Sequence, residues 1–144
     1  MNHPVVNHIG HCVADLDRAR AFYEEVLGFR VERTMVLPDE AVGPFLGVDA
    51  PVGLTAVYLR LGDFTLELLH FDRPRNPPAA TRVFNEPGLT HLSFSVDDLD
   101  AAVDLAVAHG GEIVNRFPVA AIVRDPDGQL LELLPMSYRA SLSS

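Results

Sequence analysis

The chain begins with alternating hydrophobic and polar positions and then changes to a helical period. The β-branched segment Val5–Val13 alternates and predicts a strand with His8, Gly10 and Cys12 on one face. Asp15 is a favourable N-cap residue, and Gly28 suits the left-handed end of a helix. Between them, apolar residues recur at helical spacing: Leu16, Ala19, Phe22, Tyr23 and Val26. The first thirty residues therefore predict a strand followed by an amphipathic helix.

The same two patterns predict the remaining elements. Strands are predicted at Phe29–Val36, Leu54–Leu61, Phe64–Phe71, Thr90–Val96, Glu112–Phe117, Ala120–Arg124 and Gln129–Leu134. A second helix is predicted from about Leu99 to His109, with Asp98 and Gly110 as its caps. Pro38–Gly53 contains three Pro and three Gly and interrupts the pattern, which predicts a loop or a short helical excursion. We interpret this insertion as a lid over a substrate.

An internal repeat organises the whole chain. The segment His8–Val31 aligns without a gap on His91–Val114, 83 positions later. Each copy is followed by the tetrapeptide Leu-Glu-Leu-Leu, at Leu66–Leu69 and at Leu131–Leu134. The chain is therefore a tandem duplication. We expect a first module at 1–74 with the insertion at about 38–53, a linker at 75–87, a second module at 88–137 and a tail at 138–144.

The repeat also predicts the fold class. Each half contains one strand, one helix and then three strands, which indicates two tandem βαβββ modules in an α+β protein. A four-stranded sheet with a single covering helix leaves one face bare. We therefore expect curled mixed sheets around a shared central cleft, and the residues described next make it a candidate metal-binding cleft. Whether one chain forms that cleft or two chains exchange modules stays open.

One His near the start of each module and one Glu near its end are the candidate chemical groups. Glu67 and Glu132 each stand in an apolar strand, where a carboxylate is costly to desolvate unless it is paired or binds a metal. Together with His8 and His91 they provide ligands for a borderline divalent ion. Duplication could equally preserve structural residues, so the residues alone leave both interpretations open.

Composition narrows the possible partners. The net charge is −9 without a basic run, which speaks against binding to nucleic acid or to an anionic membrane surface. Cys12 is the single cysteine, which excludes an intrachain disulfide; we expect a core thiol and a reducing compartment. The first residues, MNHPVVNH, carry neither a basic nor an apolar leader region, and we expect a cytoplasmic protein.

Four segments of the chain resemble the signature segments of the vicinal oxygen chelate superfamily: HIGHCVADLDRARAFYEEVLGF, LRLGDFTLELLHF, THLSFSVDDLDAAV and RDPDGQLLELL. The resemblance runs from about Val5 to Pro135. It implies that His8, Glu67, His91 and Glu132 bind one divalent metal ion, which would be Ni, Co, Zn, Mn or Fe. Many relatives of this kind are homodimers, so the resemblance implies a homodimer here.

Because all four ligand positions are occupied by His or Glu, the chain resembles the methylmalonyl-CoA epimerase and glyoxalase I branches of the superfamily. The resemblance implies an isomerase, epimerase or lyase that moves a proton beside a metal-bound carbonyl of a small substrate with a carbonyl or paired oxygens. Glu132 would act as ligand and general base, and Glu67 would share that role. Alternatives are a glutathione-dependent lactoylglutathione lyase, a ring-cleaving dioxygenase and a non-catalytic ligand-binding or resistance protein. Cys12 and Phe71 replace the Arg and Asn that hold glutathione in glyoxalase I.

Overall fold

A computed structural model of the chain describes residues 2–72 and 81–138. Eleven helices and strands follow one another in these residues. They are β1 (Ile9–Cys12), α1 (Leu16–Leu27), β2 (Arg30–Val36), α2 (Asp39–Leu46), β3 (Leu54–Leu61), β4 (Phe64–Phe71), β5 (His91–Val96), α3 (Leu99–Ala108), β6 (Glu112–Phe117), β7 (Ala120–Arg124) and β8 (Leu130–Pro135). The order confirms the predicted elements, and α2 is the short helical excursion inside the predicted insertion.

The strands form two four-stranded mixed sheets of the same topology. The strand orders are β1-β4-β3-β2 and β5-β8-β7-β6. In each sheet the first pair is parallel and the other two pairs are antiparallel. Both outer antiparallel pairs carry a register shift at the same place, between Val31 and Arg33 and between Ile113 and Asn115. The α+β class and the two βαβββ-like modules are therefore confirmed.

Contacts group these elements into two compact units. The first unit contains β1, β2, α2, β3 and β4, and the second contains α1, β5, α3, β6, β7 and β8. Helix α1 thus packs in the unit of the second sheet, although it follows β1 in sequence. The predicted module boundaries follow the sequence repeat and stay a prediction.

In the first unit, the insertion packs onto one end of the sheet. Val42 of α2 and Val52 form a buried cluster with Leu54 of β3, and Leu69 and Phe71 of β4 pack against it. The Asp39 carboxylate accepts hydrogen bonds from the backbone N–H groups of Val52 and Gly53, both at 3.0 Å. The carboxylate therefore closes the insertion into a folded loop.

In the second unit, α1 is fixed by a buried polar contact. The Tyr23 hydroxyl donates a hydrogen bond to Asp125 Oδ2 at 2.7 Å, and the two residues are 0% and 3% exposed. Asp125 Oδ1 accepts from the backbone N–H groups of Asp127 and Gln129 at 2.9 Å. One carboxylate thereby connects α1 to the turn that leads into β8.

Several expectations were wrong in detail. The strand predicted at Val5–Val13 spans only Ile9–Cys12, which pairs with Leu66–Leu69 of β4. Val5 and Val6 are 89% and 84% exposed instead. Cys12 is exposed rather than a core thiol, because it lies on the same sheet face as Gly10.

The structural equivalence of the two modules differs by one residue from the gapless sequence repeat after the first helix of each module. The left-handed glycine that ends α1 is Gly28, with φ 78°, and its counterpart after α3 is Gly110, with φ 89°, rather than Gly111. Residues 75–80 of the predicted linker and 139–144 of the predicted tail lie outside the described residues. In the described ranges, every helix is too short or too polar to cross a membrane.

Candidate metal and active site

Glu67 occupies the middle of a row of residues across the first sheet. In the strand register, Gly10 of β1 lies opposite Glu67 of β4, Tyr58 of β3 lies on its other side, and Arg33 of β2 lies opposite Tyr58. Directly opposed residues in a sheet project to the same face. We call Gly10, Glu67, Tyr58 and Arg33 the first row. The neighbours Leu66 and Leu68 point to the other face and are fully buried, as the alternation predicts.

His8 and Glu67 are brought together at one end of the first row. His8 Nε2 lies 3.7 Å from Glu67 Oε1, with 32% of the His8 side chain and 12% of the Glu67 side chain exposed. The His8 ring packs edge-on against Tyr58, with ring centroids 5.5 Å apart. His8 Nδ1 hydrogen-bonds the side-chain oxygen of Asn7.

Tyr58 is a site residue that the sequence analysis missed. Hydrogen bonding to the Glu67 carboxylate, burial and the negative charge of Glu67 raise the pKa of the Tyr58 hydroxyl above its usual value. The positive charge of Arg33 acts in the opposite direction. A signal was present in the sequence, because the two-residue turn Gly62-Asp63 fixes the register of β3 on β4 and places Tyr58 opposite Glu67.

The second sheet repeats the row with different neighbours. Ser93 of β5 and Ile122 of β7 flank Glu132 of β8, and Asn115 of β6 lies opposite Ile122. We call Ser93, Glu132, Ile122 and Asn115 the second row. The Ser93 hydroxyl donates a hydrogen bond to Glu132 Oε1 at 2.7 Å. Each glutamate thus has a hydroxyl-bearing residue directly opposite it, Tyr58 on the hairpin partner strand of Glu67 and Ser93 on the parallel partner strand of Glu132.

His91 lies at the start of β5, two residues before Ser93. Its Nδ1 hydrogen-bonds the Thr90 hydroxyl oxygen at 2.7 Å, and the Phe84 ring packs against it with centroids 4.9 Å apart. Nδ1 is thus occupied in the His of each module by a neighbouring polar side chain. A metal-binding His commonly uses one ring nitrogen in this way, which fixes the orientation of the other. Asn7 and Thr90 directly precede the two His residues, a signal that the sequence offered.

A match to a protein family gives the class of this protein. The chain matches the Glyoxalase/Bleomycin resistance protein/Dioxygenase superfamily over residues 5–133 and belongs to that superfamily. A crystal structure of a glyoxalase family protein from Bacillus cereus has the same fold, with a TM-score of 0.79, 23% identity, and coverage of 94% of this chain and 95% of that chain.

The chain is also similar in sequence to curated enzymes of two kinds. The mitochondrial methylmalonyl-CoA epimerase of Homo sapiens is 32% identical over 143 residues, which cover 89% of this chain and 72% of that protein. A probable chloroplastic lactoylglutathione lyase of Arabidopsis thaliana is 30% identical over 136 residues, which cover 88% of this chain and 34% of that longer protein. The relatives of this chain thus include an epimerase and a lyase.

Proposed function

We propose that the protein is a divalent-metal-dependent epimerase or isomerase that moves a proton beside a substrate carbonyl. Its similarity to a protein named methylmalonyl-CoA epimerase supports this proposal. The observation that carries the proposal is the pairing of His8 Nε2 with Glu67 Oε1 at 3.7 Å. Two metal–ligand bonds of about 2.1 Å that meet at the tetrahedral angle put their ligand atoms about 3.4 Å apart. The distance between His8 Nε2 and Glu67 Oε1 is therefore within about 0.3 Å of the separation that one bound ion requires.

The four residues that would hold the ion are His8, Glu67, His91 and Glu132. The repeat supports the second pair, because His91 and Glu132 occupy the module positions of His8 and Glu67. The nitrogen and oxygen donors suit Zn, Ni, Co, Mn or Fe(II). A divalent ion bound there supplies positive charge against the negative charge that develops on a substrate oxygen when the adjacent carbon loses its proton.

The residues of this chain then perform the proton transfer. In our proposal the Glu132 carboxylate takes the proton from one face of the carbon next to the carbonyl. The Glu67 carboxyl group, which shares the acid–base role and receives its proton from water, delivers a proton to the other face, and the proton on Glu132 returns to water. Ser93 donates to one oxygen of Glu132, which orients the carboxylate. Tyr58 orients Glu67 in the same manner. Delivery of a proton to the opposite face of the carbon gives epimerisation. The transfer can be measured, because hydrogen from the solvent is incorporated at that carbon.

The first experiment is the metal content of freshly purified protein, with His8→Ala/His91→Ala as the test variant and His3→Ala/His109→Ala as the matched control. We expect about one divalent ion per chain in the wild type and the control, and loss of the ion in the test variant. The absence of metal in the wild type, even after incubation with Ni, Co, Mn or Zn, would contradict the proposal and favour the non-catalytic ligand-binding protein.

The second experiment is exchange of solvent deuterium into methylmalonyl-CoA. Glu132→Gln should abolish the exchange, because an amide cannot take the proton, while Glu112→Gln on the exposed strand β6 should retain it. Exchange at the wild-type rate in Glu132→Gln would exclude Glu132 as the base. Turnover of the methylglyoxal–glutathione hemithioacetal in place of exchange would indicate the lyase, and oxygen uptake with a catechol would indicate the dioxygenase. A cytoplasmic homodimer stays a prediction.

A further inference from the structure

Arg33 stands at the outer end of the first row, on the edge strand of its sheet. It is opposite Tyr58, which is in turn opposite Glu67. The register shift between Val31 and Arg33 falls immediately before it. A bulge of this kind redirects the side chains that follow it. Arg33 is thereby placed on the same face as the His8–Glu67 pair.

Arg33 has no hydrogen bond or ion pair with any residue in the described parts of the chain. Arg60 on the same face donates to Glu32 at 3.1 Å and to the Gly62 carbonyl at 2.9 Å, whereas Arg30 of β2 likewise has no such bond within the described residues. Both Arg30 and Arg33 are exposed, so the lack of a partner does not distinguish them. What distinguishes Arg33 is its place in the first row, opposite Tyr58 and on the face of the His8–Glu67 pair, where its guanidinium group is available to an anionic ligand.

The fold itself does not require an arginine at this position. The equivalent position of the second row is Asn115, which follows the same register shift in a sheet of the same topology. Tyr58 has no equivalent either, since Ile122 takes its place. Arg33 and Tyr58 are thus features of one module only, as a substrate that binds in one orientation would demand.

The spacing fits a ligand that bridges the two ends of the row. Two strand spacings of about 4.8 Å separate the backbones of Arg33 and Glu67, so their Cα atoms are roughly 9.6 Å apart. The guanidinium group can approach the space above Tyr58 from one side while His8 and Glu67 border it from the other.

We propose that Arg33 binds an anionic group of the substrate, a carboxylate or a phosphate, while the reacting carbonyl lies beside His8 and Glu67. This inference rests on the proposed function and adds a substrate class to it. A guanidinium group binds such an oxyanion through two parallel hydrogen bonds, which fixes orientation as well as affinity. Arg33 also offsets the repulsion that Glu67 exerts on an anionic substrate.

The test measures equilibrium binding to the metal-loaded protein with four probes. These are methylmalonyl and isobutyryl thioesters, each attached to coenzyme A and to pantetheine. The acyl group thus carries or lacks a carboxylate, and the carrier carries or lacks phosphates. The variants are Arg33→Gln and Arg33→Lys, and the matched control is Arg30→Gln, on the same strand and opposite Arg60.

We expect Arg33→Gln to weaken binding of the anionic probes by about tenfold or more, and Arg33→Lys to weaken it less, because lysine keeps the charge but not the two parallel hydrogen bonds. Arg30→Gln should stay within about twofold. Weakening that requires the acyl carboxylate assigns Arg33 to that group, and weakening that requires coenzyme A assigns it to a phosphate.

Two results would overturn the inference. One is unchanged binding of all four probes in Arg33→Gln, and the other is equal weakening of the neutral isobutyryl-pantetheine. Because binding is measured without turnover, the inference and the proposed function fail separately. Arg33-dependent binding without deuterium exchange would leave the inference intact and contradict the epimerase, whereas exchange with binding that does not depend on Arg33 would do the reverse.

Discussion

Replacing Tyr23 by Phe removes one hydroxyl group from the interior of the second unit and little else. The hydroxyl donates to Asp125 Oδ2 at 2.7 Å, and both residues are almost fully buried. Phenylalanine fills nearly the same volume, so the substitution leaves a carboxylate oxygen without this donor rather than a cavity. A hydrogen bond to a charged group contributes about 1.5–3 kcal/mol to stability. We expect Tyr23→Phe to lower the free energy of unfolding by about that amount and Tm by roughly 5–10 °C.

The same contact predicts a dependence on alkaline pH. Burial, the negative charge of Asp125 and the hydrogen bond to it raise the pKa of Tyr23 well above 10.0. Above about pH 10 the unfolded chain loses the tyrosine proton while the folded chain keeps it. The free energy of unfolding therefore falls as pH rises, by up to about 1.4 kcal/mol per pH unit for this group. The Tyr23→Phe variant has no such tyrosine proton to lose. The difference in free energy of unfolding between the wild type and the variant is therefore fully present below pH 10 and shrinks above it.

The assay is urea denaturation followed by circular dichroism at pH 7, 9 and 10.5, with Tyr138→Phe as the control. Tyr138 is 47% exposed, and its substitution should change stability by less than about 0.5 kcal/mol. Equal stability of Tyr23→Phe and wild type at pH 7 would contradict the contribution assigned to the hydrogen bond. A stability difference between the two proteins that grows from pH 9 to pH 10.5 would contradict the predicted direction of the pH dependence.

Three further substitutions test the insertion, a turn and the site. Asp39→Ala removes the acceptor of two backbone N–H groups and should lower stability by about 1–3 kcal/mol, with faster amide exchange across 39–53. Gly53→Ala places a Cβ 2.9 Å from another Cβ at φ 61°, whereas Gly62→Ala at φ 58° meets nothing within 4 Å; the first should destabilise more than the second, measured by Tm. Ser93→Ala removes the hydroxyl bound to the β8 carboxylate and should weaken metal binding by about tenfold, measured by competition with a chelator, while Ser95→Ala should not.

Much of the fold could be predicted because alternation encodes which face of a strand is buried. Leu66 and Leu68 are fully buried around Glu67 as the period of two requires. The N-terminal valines show the limit of that signal. Val5 and Val6 have the composition of a strand, but they lie outside the pairing of β1 with β4, which begins at Ile9 and Leu66 although β4 itself begins at Phe64. The composition of a segment does not show where such pairing begins.

The packing partner of α1 could not be predicted from its pattern. Helical spacing identifies the buried face, and Phe22 and Tyr23 are indeed fully buried. It contains no information about which sheet covers that face. The partner of Tyr23 is Asp125, 102 residues later, and the sequence marks Asp125 only as a turn residue.

The repeat identifies candidate residues only where both copies agree. His8, Glu67, His91 and Glu132 were found in this way, and their joining into one four-ligand site stays a prediction. Comparison of the two copies could not identify Tyr58 and Arg33, because their counterparts are Ile122 and Asn115. Their association with Glu67 depends on strand register, which becomes visible only when the turn and the bulge are placed.

The proposed function would account for the residues that the two rows share and those in which they differ. In the proposed metal site each module would supply one His and one Glu, which are donors that suit a borderline divalent ion. A substrate is asymmetric, so it contacts different chemical groups on its two sides. The rows differ in that manner: Gly10, Tyr58 and Arg33 flank one glutamate, whereas Ser93, Ile122 and Asn115 flank the other. Exchanging residues between the rows should therefore change substrate preference before it changes metal content.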